Sequence, residues 1–110
     1  MSRNSLILKS LPLPVQQAIQ ELGDNIRIAR RRRRLTQVEL AARMMVSVPT
    51  ARRIERGDPS VSLAVYYTAL WALGLIKETR GVAKPERDES GNALELERLP
   101  ARVRHARRSL

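Results

Sequence analysis

Arg52, Arg53 and Arg56 flank Ala51 and Ile54, two apolar residues three apart that one face of a short helix would bury together. Such a helix holds its guanidinium groups away from that face. A guanidinium is a planar fork of donors, which suits phosphate oxygens and the O6 and N7 atoms of guanine. Gln37 and Ser47 stand where two helices should start, and there side chains and backbone N–H groups converge on phosphate oxygens. Arg43 and Arg56 are further candidates for phosphate contact.

Other chemistry is poorly provided for. The 110 residues include no cysteine, which removes disulfides, zinc fingers and thiol chemistry. A single histidine, His105, leaves no metal cluster and no histidine-based catalytic set. Paired carboxylates, a nucleophile with its base and a phosphate-cradling glycine loop are all missing, so no enzyme, cofactor or metal is expected. Lys and Arg total 21 against 11 Asp and Glu, a net charge of +10 that predicts a polyanionic partner. A generally basic composition is the plainer alternative. No apolar run approaches a membrane span. The start, MSRNSLILKSLPLPV, is broken by Lys9, Pro12 and Pro14 and has no signal-peptide cleavage pattern. The expected location is the cytoplasm, at the nucleoid.

The stretch Leu35 to Gly57, LTQVELAARMMVSVPTARRIERG, must position these residues. Leu40, Ala41 and Met44 share one helical face beneath Leu35, and Ala51 with Ile54 forms the second face. Thr36 reads as an N-cap with Glu39 completing a capping box, while Ser47 caps the second helix and Pro49 fits its first turn. Two helices joined by three or four residues cross steeply, and the second projects a basic face. That describes a helix-turn-helix.

Leu22, Gly23, Ile26, Arg27, Arg30, Leu35, Thr36, Gln37, Glu39, Leu40, Ala41, Val46, Ser47, Ile54, Glu55 and Gly57 together resemble phage-repressor-type (Cro-like, or XRE) helix-turn-helix regulators. The resemblance runs from about Val15 to Leu75. It implies an all-α, small lambda-repressor-like domain whose second motif helix enters the major groove of double-stranded DNA. By position it nominates Val48, Pro49, Thr50, Arg52 and Arg53 around that groove. Arg53 is the first candidate for a bidentate guanine contact; Arg52 would do the same or hold a phosphate, and Val48 and Pro49 offer only apolar contact. For each arginine other than Arg53 a solvated face is the competing reading. The resemblance also pairs Arg30 with Glu55 as a buried structural ion pair. Arg34 and Met45 depart from it, standing where glycine is usual and where positive φ is favoured.

Along the chain, residues 1–13 form an irregular arm, 14–79 the helix-turn-helix domain and 80–110 a charged tail, with arm and tail expected to be partly disordered. Leu6, Ile7, Leu8, Leu11 and Leu13 make the arm apolar enough to pack on the domain or on a partner. A helix is expected from Pro14 to about Arg33, with Val15, Ala18, Ile19, Leu22, Ile26 and Ala29 as its stripe. Arg30 to Arg34 close it with positive charge that complements the helix dipole. Ser62 caps a fourth helix carrying one stripe of Leu63, Tyr66, Leu70 and Leu73 and a second of Tyr67 and Trp71. The second is either core or a homodimer interface, and a palindromic operator favours the dimer. In the tail, Leu94, Leu96 and Leu99 partly alternate, which allows a short strand or an adhesive peptide.

Two binding roles follow. One is a stand-alone repressor. The other, the leading expectation to which the first is the alternative, is an antitoxin of a type II toxin–antitoxin operon that autoregulates its promoter and neutralises a toxin. It follows because the compact domain and the tail segment ERLPARVR resemble HipB-type antitoxins, whose partners are HipA-like toxin kinases. RNA binding is a third class, supported by charge alone; the absence of base-stacking aromatics on a sheet opposes it.

Overall fold

A computed structural model describes residues 10–100, which contain helices and no strand. The chain separates between Lys77 and Glu78 into two units.

In the first unit, helix α1 spans Leu13–Arg32, with Pro14 in its first turn, where a missing N–H costs nothing. Arg30, Arg31 and Arg32 occupy its last turn, beside the unpaired carbonyls. Its buried face is Gly23, Ile26, Ala29 and Arg30, with Ile19 and Leu22 half-buried. Val15 and Ala18, expected in the same stripe, are exposed instead. The turn after the third helix closes on Ile19 and Gln20, so the earlier turns extend past it.

Helix α2 spans Gln37–Met44 and α3 spans Val48–Glu55. The capping box at α2 is complete: the Glu39 N–H donates to Thr36 Oγ1 at 3.0 Å, and the Thr36 N–H donates to Glu39 Oε1 at 3.1 Å. Ser47 Oγ accepts from the Thr50 N–H at 3.3 Å, and Pro49 sits in the first turn of α3. Between the two helices Met45 adopts φ 59°, and Arg34, before α2, adopts φ 54°. Both positions are thus left-handed without glycine, at a cost of roughly 1–2 kcal/mol each.

Helix α4, Leu63–Ala72, is capped by Ser62 and followed by Gly74 at φ 78°. Tyr66, Ala69, Leu70 and Leu73 face inward. Leu63 does not join them; it is 64% exposed, and the fully buried Ala69, one turn beyond Tyr66, completes the inner face instead. Ile26, Leu40 and Ile54 form the centre of an aliphatic core into which Leu35, Met44 and Tyr66 also pack. The inner face of α3 packs on both α1 and α2, and α4 packs on α2.

The second unit contains a 3-10 turn at Pro85–Arg87 and helix α5 at Glu89–Arg98, while a further 3-10 stretch, Ile76–Gly81, crosses the boundary. Its described residues include none that is buried. Leu94 and Leu96 are therefore helical rather than in a strand. Asp88 Oδ1 caps α5 by accepting from the Gly91 N–H at 2.9 Å, and Asn92 Nδ2 donates to the Pro85 carbonyl at 3.1 Å. The arm residues 1–9 and the tail residues 101–110 lie outside the described residues.

Candidate nucleic-acid interface

Helix α3 is anchored by Ala51, Ile54 and Glu55, all buried. At 100° per residue the direction opposite these three is held by Pro49, Arg53 and Arg56, with Val48 and Arg52 on one flank and Thr50 on the other. Pro49, Arg52, Arg53 and Arg56 are exposed, and Val48 and Thr50 are half-buried. The side chains nominated on α3 therefore fall on its outer face and flanks, and that face carries no acidic residue of α3 itself.

Close backbone approach sets how α3 sits. A Cβ added at Gly23 would lie 2.6 Å from the Ile54 carbonyl oxygen and 2.7 Å from the Gly57 nitrogen. Gly57 closes α3 at φ 70°, and a Cβ there would lie 2.6 Å from Gln20 Cα. A mid-helix glycine such as Gly23 costs about 0.5–1 kcal/mol in helix stability, which is itself a sign of a tight crossing.

Arg30 and Glu55 meet through two parallel bonds, Nε to Oε2 at 2.7 Å and Nη2 to Oε1 at 3.0 Å. Arg30 Nη1 also donates to the Leu35 carbonyl at 2.8 Å, so one guanidinium ties α1, the turn before α2 and the end of α3. Both residues are buried, and the Arg30 guanidinium is engaged by partners inside the domain.

Gln37, nominated for a phosphate, has its side chain engaged within the protein. Its Nε2 donates to Glu55 Oε1 at 3.2 Å, and its Oε1 accepts from Arg52 Nε at 3.3 Å. The hydroxyls of Ser47 and Thr50 lie 2.9 Å apart and share a hydrogen bond. Arg43, exposed on α2, lies within the field of Glu39, whose carboxyl is held below its ordinary value first by the Thr36 N–H and hydroxyl. Asp58 is likewise held low by the hydroxyl and N–H of Ser60, and more weakly by Arg53 and Arg56. These two arginines therefore have a carboxylate neighbour beyond the end of α3. Neither the Gln37 chain of bonds nor the role of Asp58 is visible in local sequence patterns.

The helix-turn-helix domain family matches residues 21–80, more than half of the chain. The chain belongs to that family. No curated protein and no solved structure matches it. Membership makes the chain a DNA-binding regulator similar to the XRE type, and the matched segment holds α2, α3 and every residue of the surface just described. Among the described residues no helix is long and apolar enough to cross a membrane, and no group of three or more His, Cys, Asp or Glu could hold a metal ion.

Proposed function

We propose that this helix-turn-helix protein is a sequence-specific transcriptional repressor that binds a palindromic operator as a homodimer. The observation that carries the reading is the outer surface of α3, where Pro49, Arg52, Arg53 and Arg56 are exposed opposite a buried anchor. Inserted in a major groove, α3 brings Arg53 and Arg52 to base edges and Val48 or Pro49 to thymine methyl groups. Ser47, Thr50, Gln37, Arg43 and Arg56 then face the flanking phosphates, and these contacts place the helix without reading sequence. Leu63 and Trp71 are exposed on α4, and Tyr67, four residues from each, is half-buried against the core between them; the apolar line they make supports pairing with a second copy.

The test is a salt titration of binding to the promoter upstream of the protein's own gene, against a scrambled duplex of equal length. A preference for the promoter that survives physiological salt is expected. Equal binding and parallel release as salt rises would leave only the charge acting, and the repressor reading would fall.

A second reading, an antitoxin that also neutralises a HipA-like toxin kinase, is favoured by one observation. Val82 and Leu94, in the second unit, are 70% and 57% exposed, and no described residue of that unit is buried, so its apolar side chains have no core of their own and suit a protein partner. Co-expression with the product of the adjacent gene tests it. A stable complex that silences a kinase supports the reading, and a neighbour with no kinase activity removes it.

A further inference from the structure

We infer that Arg52 is a second base-reading residue and that Gln37 is the positioning residue that aims it. The inference rests on the DNA-binding reading above and adds how one side chain is held ready before any DNA arrives.

The aim follows from donor and acceptor chemistry. Glu55, locked by Arg30, can only accept hydrogen bonds, so the Gln37 amide must turn its Nε2 toward Glu55. That leaves Oε1 facing outward on the other side, and Arg52 Nε donates to it at 3.3 Å. A chain of bonds thus runs from the buried ion pair through Gln37 to an exposed guanidinium on α3. With Nε engaged, the two Nη groups of Arg52 remain as an end-on fork without partners among the described residues. An exposed arginine ordinarily loses much rotamer freedom when it binds, and one already held at Nε loses less. Arg53, facing directly outward, has no hydrogen bond of this kind among the described residues and lies in the field of Asp58.

The arrangement also sets a price on using Gln37 as a phosphate ligand. Swinging its side chain outward would release both Glu55 and Arg52. Its backbone N–H and the second Nε2 proton can still meet a phosphate without that movement.

The test selects duplexes from a random-sequence library with the full-length protein, then replaces each base pair of the selected duplex in turn. Arg52→Ala should flatten preference at one base pair by about tenfold, the loss typical of one bidentate contact. Gln37→Met, uncharged and of similar length, should flatten the same base pair by at least about threefold. The double variant should lose no more than Arg52→Ala alone, and Arg53→Ala should act at a different base pair. Should Gln37→Met fold poorly in a thermal melt, Arg52→Lys serves instead, because it keeps the charge and removes the fork. It should lose the same preference while binding scrambled duplex within about twofold of wild type. An unchanged base-pair profile in Arg52→Lys, or losses in Gln37→Met equal for selected and scrambled duplexes, would overturn the inference. A library from which the wild-type protein selects no sequence overturns the sequence-specific reading itself, a different result.

Discussion

The Arg30 guanidinium and the Glu55 carboxylate, 25 residues apart in the chain, meet at 2.7 Å inside the domain. Each is buried, so each depends on the other for its charge. Removing one strands the second, and breaking a buried pair typically costs ~3–5 kcal/mol. Glu55→Ala should therefore lower the melting midpoint by more than about 10 °C in a domain this size. The double variant Arg30→Met with Glu55→Leu should recover part of that loss. A midpoint that Glu55→Ala leaves unmoved would mean the pair contributes nothing.

Gly23→Ala offers a separate check on the crossing of α1 and α3. Alanine improves helix propensity by about 1 kcal/mol, which alone would stabilise α1. Its methyl group, however, would meet the Ile54 carbonyl at 2.6 Å, a backbone atom that cannot swing aside. Overpacking typically costs about 1–3 kcal/mol, so the net change in urea unfolding should be destabilising. A gain in stability would show that the helices part freely.

The Tyr66 hydroxyl donates to the Asp58 carbonyl at 2.7 Å. Burial, and then the Asp58 charge, pushes its pKa up from 10 to about 12. Because the folded value lies above the unfolded one, the stabilisation is complete below pH 10 and is lost as pH rises from 10 toward 12. Unfolding free energy measured across that window should fall in the wild type and fall less steeply in Tyr66→Phe. The variant should also start roughly 1 kcal/mol lower at neutral pH, for the hydrogen bond it lacks. Parallel curves would rule out Tyr66 as the titrating group.

Trp71, 61% exposed on α4, should matter to association and not to the fold. In sedimentation experiments Trp71→Glu should weaken self-association at least about tenfold, as expected for a truncated aromatic anchor facing a new charge. Thermal melting at a concentration where the wild type is monomeric should be nearly unchanged. If the dissociation constant stays the same, the second copy sits elsewhere.

Local signals are legible in the sequence, and crossing geometry is not. Thr36 with Glu39, Ser47 and Ser62 act within three residues of themselves, so their caps can be read from order alone. The pairing of Arg30 with Glu55 came from family resemblance, since nothing in periodicity joins residues that far apart. Gln37 bonds to Glu55 and Arg52, 18 and 15 residues away, through a contact created only when α2 and α3 cross. Its place at a helix start offered a phosphate role that fitted the sequence equally well. Leu94, Leu96 and Leu99 are too few to separate a period of two from one of 3.6, and the cap at Asp88 is the signal that marks the helix. Ala69 shows the converse: a small side chain carries little hydrophobic signal, yet it is fully buried on the inner face, while Leu63, with a strong signal, is exposed.

The left-handed backbone at Arg34 and Met45 has an evolutionary consequence. Both sites have a glycine substitution open to them that relieves strain, offset in part by the greater freedom glycine gives the unfolded chain. At Met45, whose side chain is 92% exposed, the exchange touches little else. At Arg34 it also removes a positive charge from the run of five that closes α1. Selection for robustness and selection for polyanion attraction therefore pull together at the first site and apart at the second. A lineage drifting toward heat tolerance would be expected to change Met45 before Arg34.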